Sequence, residues 1–328
     1  MNLEFEEIVS SLIEEYSRVP EVDSRASDKA TVGDIKTSLD NSTFFFDADS
    51  AGSHVKNSRN RRDEALPVDD FWTEERRRKA ELELRGQGEG VSRFWREHYI
   101  SRASKFWHEF YKRNSDRFYK DRHYLHEEFP ELLDCSVLLE VGCGVGNAVV
   151  PLFELNDRLN VYAIDCARSA IEILQQHPIQ ERFIDGKQHL YASVCDVIND
   201  PLPTSVGQCD LVLCLFVLSA MAPESMPLVM KKLYDTLRPG GRILVRDYGQ
   251  YDEAQMRFKK GSKLSDNFYV RQDSTCSYFF SLEYLEQLCR GAGFRQVPGR
   301  VENITKTQEN RAQRKSRHRV WVQGVYEK

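Results

Sequence analysis

The chain has 328 residues, of which 41% are hydrophobic and 30% charged, with a formal net charge of −5. This is a globular composition, enough for one large domain or two ordinary ones, and it excludes a fibre or a membrane-embedded chain. No apolar run approaches the about 20 residues that a spanning helix needs.

Charge is unevenly spread. Glu74–Arg122 holds 14 basic against 9 acidic residues, and Pro298–Arg319 holds 7 against 2. Residues 1–60 carry the acidic excess, with 12 acids to 6 bases. Basic segments of this kind point to an anionic partner. The acidic start, MNLEFEEIVSSLIEEYSRVPEVD, lacks the Arg-rich character of a transit peptide and the apolar core of a secretory signal. A cytoplasmic location is therefore expected, with the nucleus as the alternative. The eight cysteines show no CxxC spacing and read as reduced, mostly buried thiols rather than metal ligands.

Leu3, Phe5, Ile8, Val9, Leu12, Ile13 and Tyr16 recur at helical spacing, which predicts a short amphipathic helix over 1–16. Residues 17–65 are rich in Ser, Asp, Asn and Arg, and disorder is expected there. DFWTEERRRKAELELR (70–85) reads as a charged helix, and GQGEG (86–90) interrupts it. Residues 91–120 read as helical and aromatic. The expected organisation is an acidic extension over 1–69, a basic aromatic helical segment over 70–130, and an α/β domain over 131–328.

From Val137 short apolar runs alternate with helical patterns. Strands are predicted at 137–141, 160–165, 189–196, 209–219 and 241–248. Helices are predicted from the glycines to about Leu155, and at 167–177, 224–237 and 281–293. FRQV (294–297) and RVWVQGVY (319–326) supply two more strands, the last without a preceding helix and so antiparallel. The expected fold is α/β, a Rossmann-like seven-stranded sheet, mostly parallel.

The first strand ends in Glu140-x-Gly142-x-Gly144-x-Gly146. A dinucleotide loop would place its third glycine one position later, where Asn147 stands. The pattern resembles motif I of class I methyltransferases, which bind S-adenosylmethionine. Acids follow at the next two strand ends. Asp165 is placed to accept the ribose hydroxyls, and Asp196 the adenine amino group, with the Val197 backbone beside the ring and Leu215 or Phe216 as a floor. The bland alternatives are a helix cap for Asp165 and a turn residue for Asp196.

Five segments carry a more specific resemblance: FWHEFYKRNSDRFYKDRHYLHEEFPEL (106–132), LLEVGCGVGN (138–147), LFVLSA (215–220), RDYGQYD (246–252) and RFKKGSKLSDNFYVRQDSTCSYFF (257–280). Together they resemble the tRNA N3-cytidine methyltransferases, from about Ser104 to the C-terminus. The chain has Tyr124, Ser274 and Cys276 where the family often has Trp, Gly and Arg. The resemblance implies S-adenosyl-L-methionine as cofactor and contacts to it from Trp107, Tyr111, Gly142, Asp165, Asp196, Val197 and Leu215. It implies formation of 3-methylcytidine at cytidine 32 of the tRNA anticodon loop. Some family members also need an accessory protein such as seryl-tRNA synthetase. Serine, threonine and arginine tRNAs all stay open as substrates.

Cytosine N3 carries a lone pair at neutral pH, so no base need remove a proton. Alignment is the main requirement, and Asp247 is the candidate acid to stabilise the cationic product. Its bland reading is a structural partner of Arg246. Tyr248 or Phe216 would stack the base. Lys112, Arg113, Arg117, Lys120, Arg122 and Arg271 are the candidate RNA contacts, with Arg311, Arg314, Lys315 and Arg317 in the tail. Two other readings remain: a small-molecule or protein methyltransferase, and a non-catalytic methyltransferase-fold adaptor that binds RNA.

Overall fold

The computed structural model describes residues 73–180, 189–310 and 315–328, with side chains left out for 307–317. The helix expected over 1–16, the disorder expected over 17–65, and Arg311 and Arg314 fall outside those residues. So do the side chains of Lys315 and Arg317.

Three helices open the described chain: α1 (Glu74–Gly86), α2 (Arg93–Ile100) and α3 (Ala103–Asn114). Thr73 caps α1 by accepting the Arg76 N–H. A short α4 (Leu125–Glu128) follows, and then β1 (Val137–Val141), β2 (Asn160–Asp165), β3 (His189–Val194), β4 (Cys209–Leu215) and β5 (Leu237–Tyr248). Between them lie α5 (Val149–Leu152), α6 (Arg168–Gln175) and α7 (Met226–Thr236). The chain continues through α8 (Glu253–Met256) and α9 (Leu282–Ala292) to β9 (Arg295–Asn310) and β10 (Lys315–Glu327).

The sheet runs β3-β2-β1-β4-β5-β10-β9. The first five strands pair in parallel, and β10 is antiparallel to both neighbours. Central β1, VLLEV, is covered on both faces, which is why four of its five residues are apolar. Edge strand β3 instead leaves Tyr191 and Val194 exposed. Helix α6 buries Ile171 and Leu174 in the core of the sheet and Ala170 against Phe110 and Tyr111 of α3, and turns Glu172 and Gln175 to solvent.

Several elements differ from the sequence expectation: β3 ends at Val194 and β4 at Leu215, short of the predicted 196 and 219, and β9 runs on to Asn310, well past FRQV. The helix after the glycines has only four residues. Pro151 has no N–H to give to the Asn147 carbonyl, and that carbonyl accepts the Arg122 N–H instead, at 2.8 Å. Strand β5 begins at Leu237 rather than at 241, and Arg238–Gly241 form an irregularity within it, set between the Cys209–Leu237 and Leu211–Arg242 pairs. The structure also contains an unanticipated small antiparallel sheet, β6 (Lys263–Ser265), β7 (Phe268–Val270) and β8 (Cys276–Tyr278).

Strand order reverses between β1 and β4: β2 and β3 lie to one side, β5 to the other. A crevice opens beyond the carboxyl ends of strands at such a point, and it holds the site described next. Among the described residues no helix is long and apolar enough to cross a membrane.

Helix α9 has both its ends specified locally: Ser281 accepts the Tyr284 N–H, and Gly293 is left-handed at φ 107°. Ser281→Ala should lower the urea-unfolding free energy by about 1 kcal/mol without shifting the far-ultraviolet spectrum; an unchanged midpoint would show that the cap adds nothing.

Candidate active site

A cavity of ≈ 300 Å³ sits over the ends of β1, β2 and β4. Its wall has two chemically different parts.

The first part is built from strand ends and turns. Gly142 is left-handed at φ 63°, and a Cβ there would collide with the Val217 side chain. Beside it, the Asp165 carboxylate accepts the Gly144 N–H through Oδ2 and the Ala167 N–H through Oδ1, both at 2.8 Å. Burial pushes the Asp165 pKa up, and those two N–H groups oppose the shift. Asp196 accepts from the Ser104 hydroxyl at 2.9 Å, the Ile198 N–H at 3.0 Å and the Asn199 side chain at 2.9 Å. It is thus a turn residue and a cavity-wall residue at once. Val197, Ile198 and Asn199 complete this turn along the wall.

Helices α2 and α3 close the near side with Ile100, Ser104, Trp107 and Tyr111. They are fastened across the cavity by the Ser104–Asp196 bond and by an Arg96–Glu224 ion pair. Ser169 at the start of α6 donates its hydroxyl to the His108 carbonyl at 2.8 Å and its N–H to His108 Nδ1 at 3.1 Å.

The second part is aromatic and cationic. Leu215 ends β4, and Phe216 follows with φ 57°, a conformation disfavoured for a bulky side chain. Its N–H donates to the Arg246 carbonyl at 2.8 Å. The Phe216 ring packs on Tyr248 at 5.0 Å and Trp321 at 5.9 Å, under the Arg122 guanidinium at 5.2 Å. Arg271 lies over the Tyr248 ring at 5.6 Å and bonds Thr275 and Ser277. The small sheet delivers it: Arg271 and Thr275 close the β7–β8 hairpin, and Asp273 accepts the Thr275 N–H at 2.9 Å.

Of the residues singled out in the sequence, Trp107, Tyr111, Gly142, Asp165, Asp196, Val197 and Leu215 all line this one cavity. Gly144 and Gly146 do not: Gly144 lies under the Tyr111 hydroxyl, and Gly146 packs against Leu174 and Val150 behind the loop. Lys112, Arg113, Arg117 and Lys120 are exposed. Arg122 and Arg271, grouped with them as candidate RNA contacts, lie in the wall of the cavity rather than on the exposed surface. Asp247 is fully buried but absent from the wall. It accepts the Ser219 N–H at 2.9 Å and the Tyr248 N–H at 2.8 Å, and burial pushes its pKa up to about 6. Its neighbour Tyr248 faces the cavity, so strand alternation turns Asp247 away. Arg246, its expected structural partner, pairs with Glu128 at 2.9 Å and with Gln323.

The acid that sequence reading passed over is Glu140, quoted only as the start of the glycine motif. It is 4% exposed, lines the cavity, and among the described residues its Oε2 has no hydrogen-bond partner. Burial pushes its pKa up to about 8, against the pull of Arg122. The folded protein therefore holds this proton more tightly than the unfolded chain, so the stability tied to it is full below pH 4.5 and is lost as pH rises to about 8. Glu140→Gln should escape that loss. Its thermal midpoint relative to the parent should climb between pH 5 and pH 8, and a difference that stays flat would contradict a buried neutral carboxyl.

Residues 111–298 match the family model for a methyltransferase domain. Mouse tRNA N(3)-cytidine methyltransferase METTL6 is 42% identical over 222 residues, covering 64% of this chain and 75% of the mouse protein. Chicken tRNA N(3)-cytidine methyltransferase METTL2 is 41% identical over 207 residues, covering 62% of this chain and 54% of its own. The Drosophila melanogaster tRNA N(3)-methylcytidine methyltransferase Mettl2 is 38% identical over 221 residues, covering 64% and 66%. With its glycine loop, its strand-end acids and these relatives, the chain belongs to the tRNA N(3)-cytidine methyltransferase family.

Proposed function

We propose that this protein is an enzyme that transfers a methyl group from S-adenosyl-L-methionine to N3 of cytidine in tRNA, at position 32 of the anticodon loop in a subset of tRNAs. The observation that carries the proposal is the two-part cavity, with acids and a glycine turn at one end and arginines over aromatic rings at the other. The parts suit, respectively, a cofactor with ribose and purine, and a flat base.

The residues present fit the cofactor. Asp165 is held by two N–H groups, and each carboxylate oxygen keeps a lone pair for a ribose hydroxyl. Asp196 and the Val197 backbone address the purine. Trp107 and Tyr111 cover it from α3. Bound there, S-adenosylmethionine supplies an electrophilic methyl group.

The acceptor is a neutral base with its own lone pair, so the chain needs to supply position rather than proton removal. Phe216 and Tyr248 form a surface on which an extruded cytosine stacks. Arg122 and Arg271 fix its orientation through its carbonyl oxygen. No histidine is needed as a base: His123 is exposed, and neither it nor His126 lines the cavity. The role first sought in Asp247 falls to Glu140, the buried acid in the wall: neutral at pH 7 in the protein alone, it loses its proton when a cationic ligand or product beside it pulls its pKa down, and the carboxylate then offsets that charge.

Affinity for tRNA comes from the exposed Lys112, Arg113, Arg117 and Lys120 beside the mouth of the cavity. An accessory protein such as seryl-tRNA synthetase, on which some family members depend, is a candidate partner, and the cytoplasm, with the nucleus, is the expected location.

The test is methylation of total tRNA from a strain lacking this modification, followed by nucleoside mass analysis. The parent protein should raise 3-methylcytidine. Asp165→Ala should lower kcat/KM by about 10- to 100-fold, as expected for losing hydrogen bonds to a charged group. A different methylated nucleoside would replace the proposed acceptor. Methylation undiminished by Asp165→Ala would remove the cofactor assignment.

A further inference from the structure

The turn that carries Asp196 is closed on itself. The Asn199 and Asp200 N–H groups donate to the Asp196 carbonyl at 3.1 and 2.7 Å, and the Asp196 N–H donates to Asp200 Oδ2 at 2.9 Å. The Asp196 side chain takes up the Ile198 N–H and the Asn199 amide. With the donors turned inward, three carbonyls of the turn are left pointing outward. They converge on one atom. Lys232 Nζ, on α7, lies 2.9 Å from the Val197 oxygen, 2.9 Å from the Ile198 oxygen and 3.0 Å from the Asp200 oxygen. An ammonium has three donors and no acceptor, so the count is complete. Three carbonyl dipoles aimed at one point repel each other, and the cation between them removes that cost.

We propose that Lys232 is a positioning residue for the purine end of the cofactor site: it sets the curvature of the 196–200 turn from behind, without lining the cavity itself. The inference rests on the cofactor reading of Asp196 and Val197. Val197, Ile198 and Asn199 lie on the cavity wall, whereas Lys232 does not. Its effect is therefore on cofactor affinity and not on the transfer step. A planar guanidinium fork does not match three oxygens gathered around a point, so arginine is a poor substitute.

The experiment is calorimetric binding of S-adenosylhomocysteine and of 5′-methylthioadenosine, which lacks the amino-acid end, to the full chain and its variants. Lys232→Met should weaken both ligands by about tenfold, as for loss of a charged hydrogen-bond set. In turnover it should raise KM for S-adenosylmethionine by the same factor and leave kcat unchanged. Lys232→Ala should regain affinity when ethylammonium is added, and Lys232→Arg should bind less tightly than the parent. Parent-like affinity in folded Lys232→Met would overturn the proposal. If that variant does not fold, parent-like affinity in Lys232→Arg would overturn it. A loss seen with S-adenosylhomocysteine but not with methylthioadenosine would also overturn it, because the turn would then serve the other end. A parent protein that binds neither ligand would sink the cofactor reading, and this inference with it.

Discussion

One buried carboxylate joins the strand ends on which the site is built. Asp165 sits at the end of β2, and its two side-chain oxygens take the N–H groups of Gly144, from the loop after β1, and Ala167, at the entrance to α6. Its backbone carbonyl accepts the Cys195 N–H at the end of β3, and its neighbour Ile164 accepts from Cys143. Three parallel strands thus have their ends held at fixed relative positions by one residue and its neighbour. Burial raises the cost of ionising that carboxylate, and the two N–H donors oppose that shift. Asp165, Cys143 and Cys195 also line the cavity.

The other half of the cavity depends on contacts distant in sequence. Phe216 is held in a left-handed conformation by the Arg246 carbonyl and by rings from β5 and β10. Its guanidinium cover, Arg122, comes from the segment before β1 and is fixed in turn by its backbone bond to Asn147. Arg271 arrives from the small sheet. Five parts of the chain therefore meet here, and the bulky residue in a strained conformation lies among them.

How much of this was legible follows from the range of the forces involved. The limits of β1 and β2 could be read because an apolar run ends in an acid, and α9 because Ser281 and Gly293 punctuate it. The strand-end acids Asp165 and Asp196 could be placed because a parallel sheet brings successive strand ends together. The short α5 needed knowledge that Pro151 frees the Asn147 carbonyl for Arg122. Arg122 and Arg271 were read as RNA contacts, but their place over the rings of Phe216 and Tyr248 was not legible, because local spacing reports which neighbours are near in the chain, not which aromatic rings lie beside them. Asp247 was placed at the correct strand end, but on the wrong face; counting alternation from Tyr248 would have corrected it. The small sheet escaped notice because three-residue strands leave too little period to read, although the Asp273 and Ser274 pair is an available turn signal.

A cofactor end and a base end in one cavity, as proposed, make a strong demand on one kind of ligand. A bisubstrate analogue joining adenosine, through a short linker, to N3 of cytidine should compete with both S-adenosylmethionine and tRNA in steady-state methylation. Its affinity should fall when either Asp165 or Arg271 is replaced by alanine, because one molecule spans both ends. Competition with the cofactor alone, or an affinity indifferent to Arg271, would show that the base binds elsewhere and that the aromatic half of the cavity has another purpose.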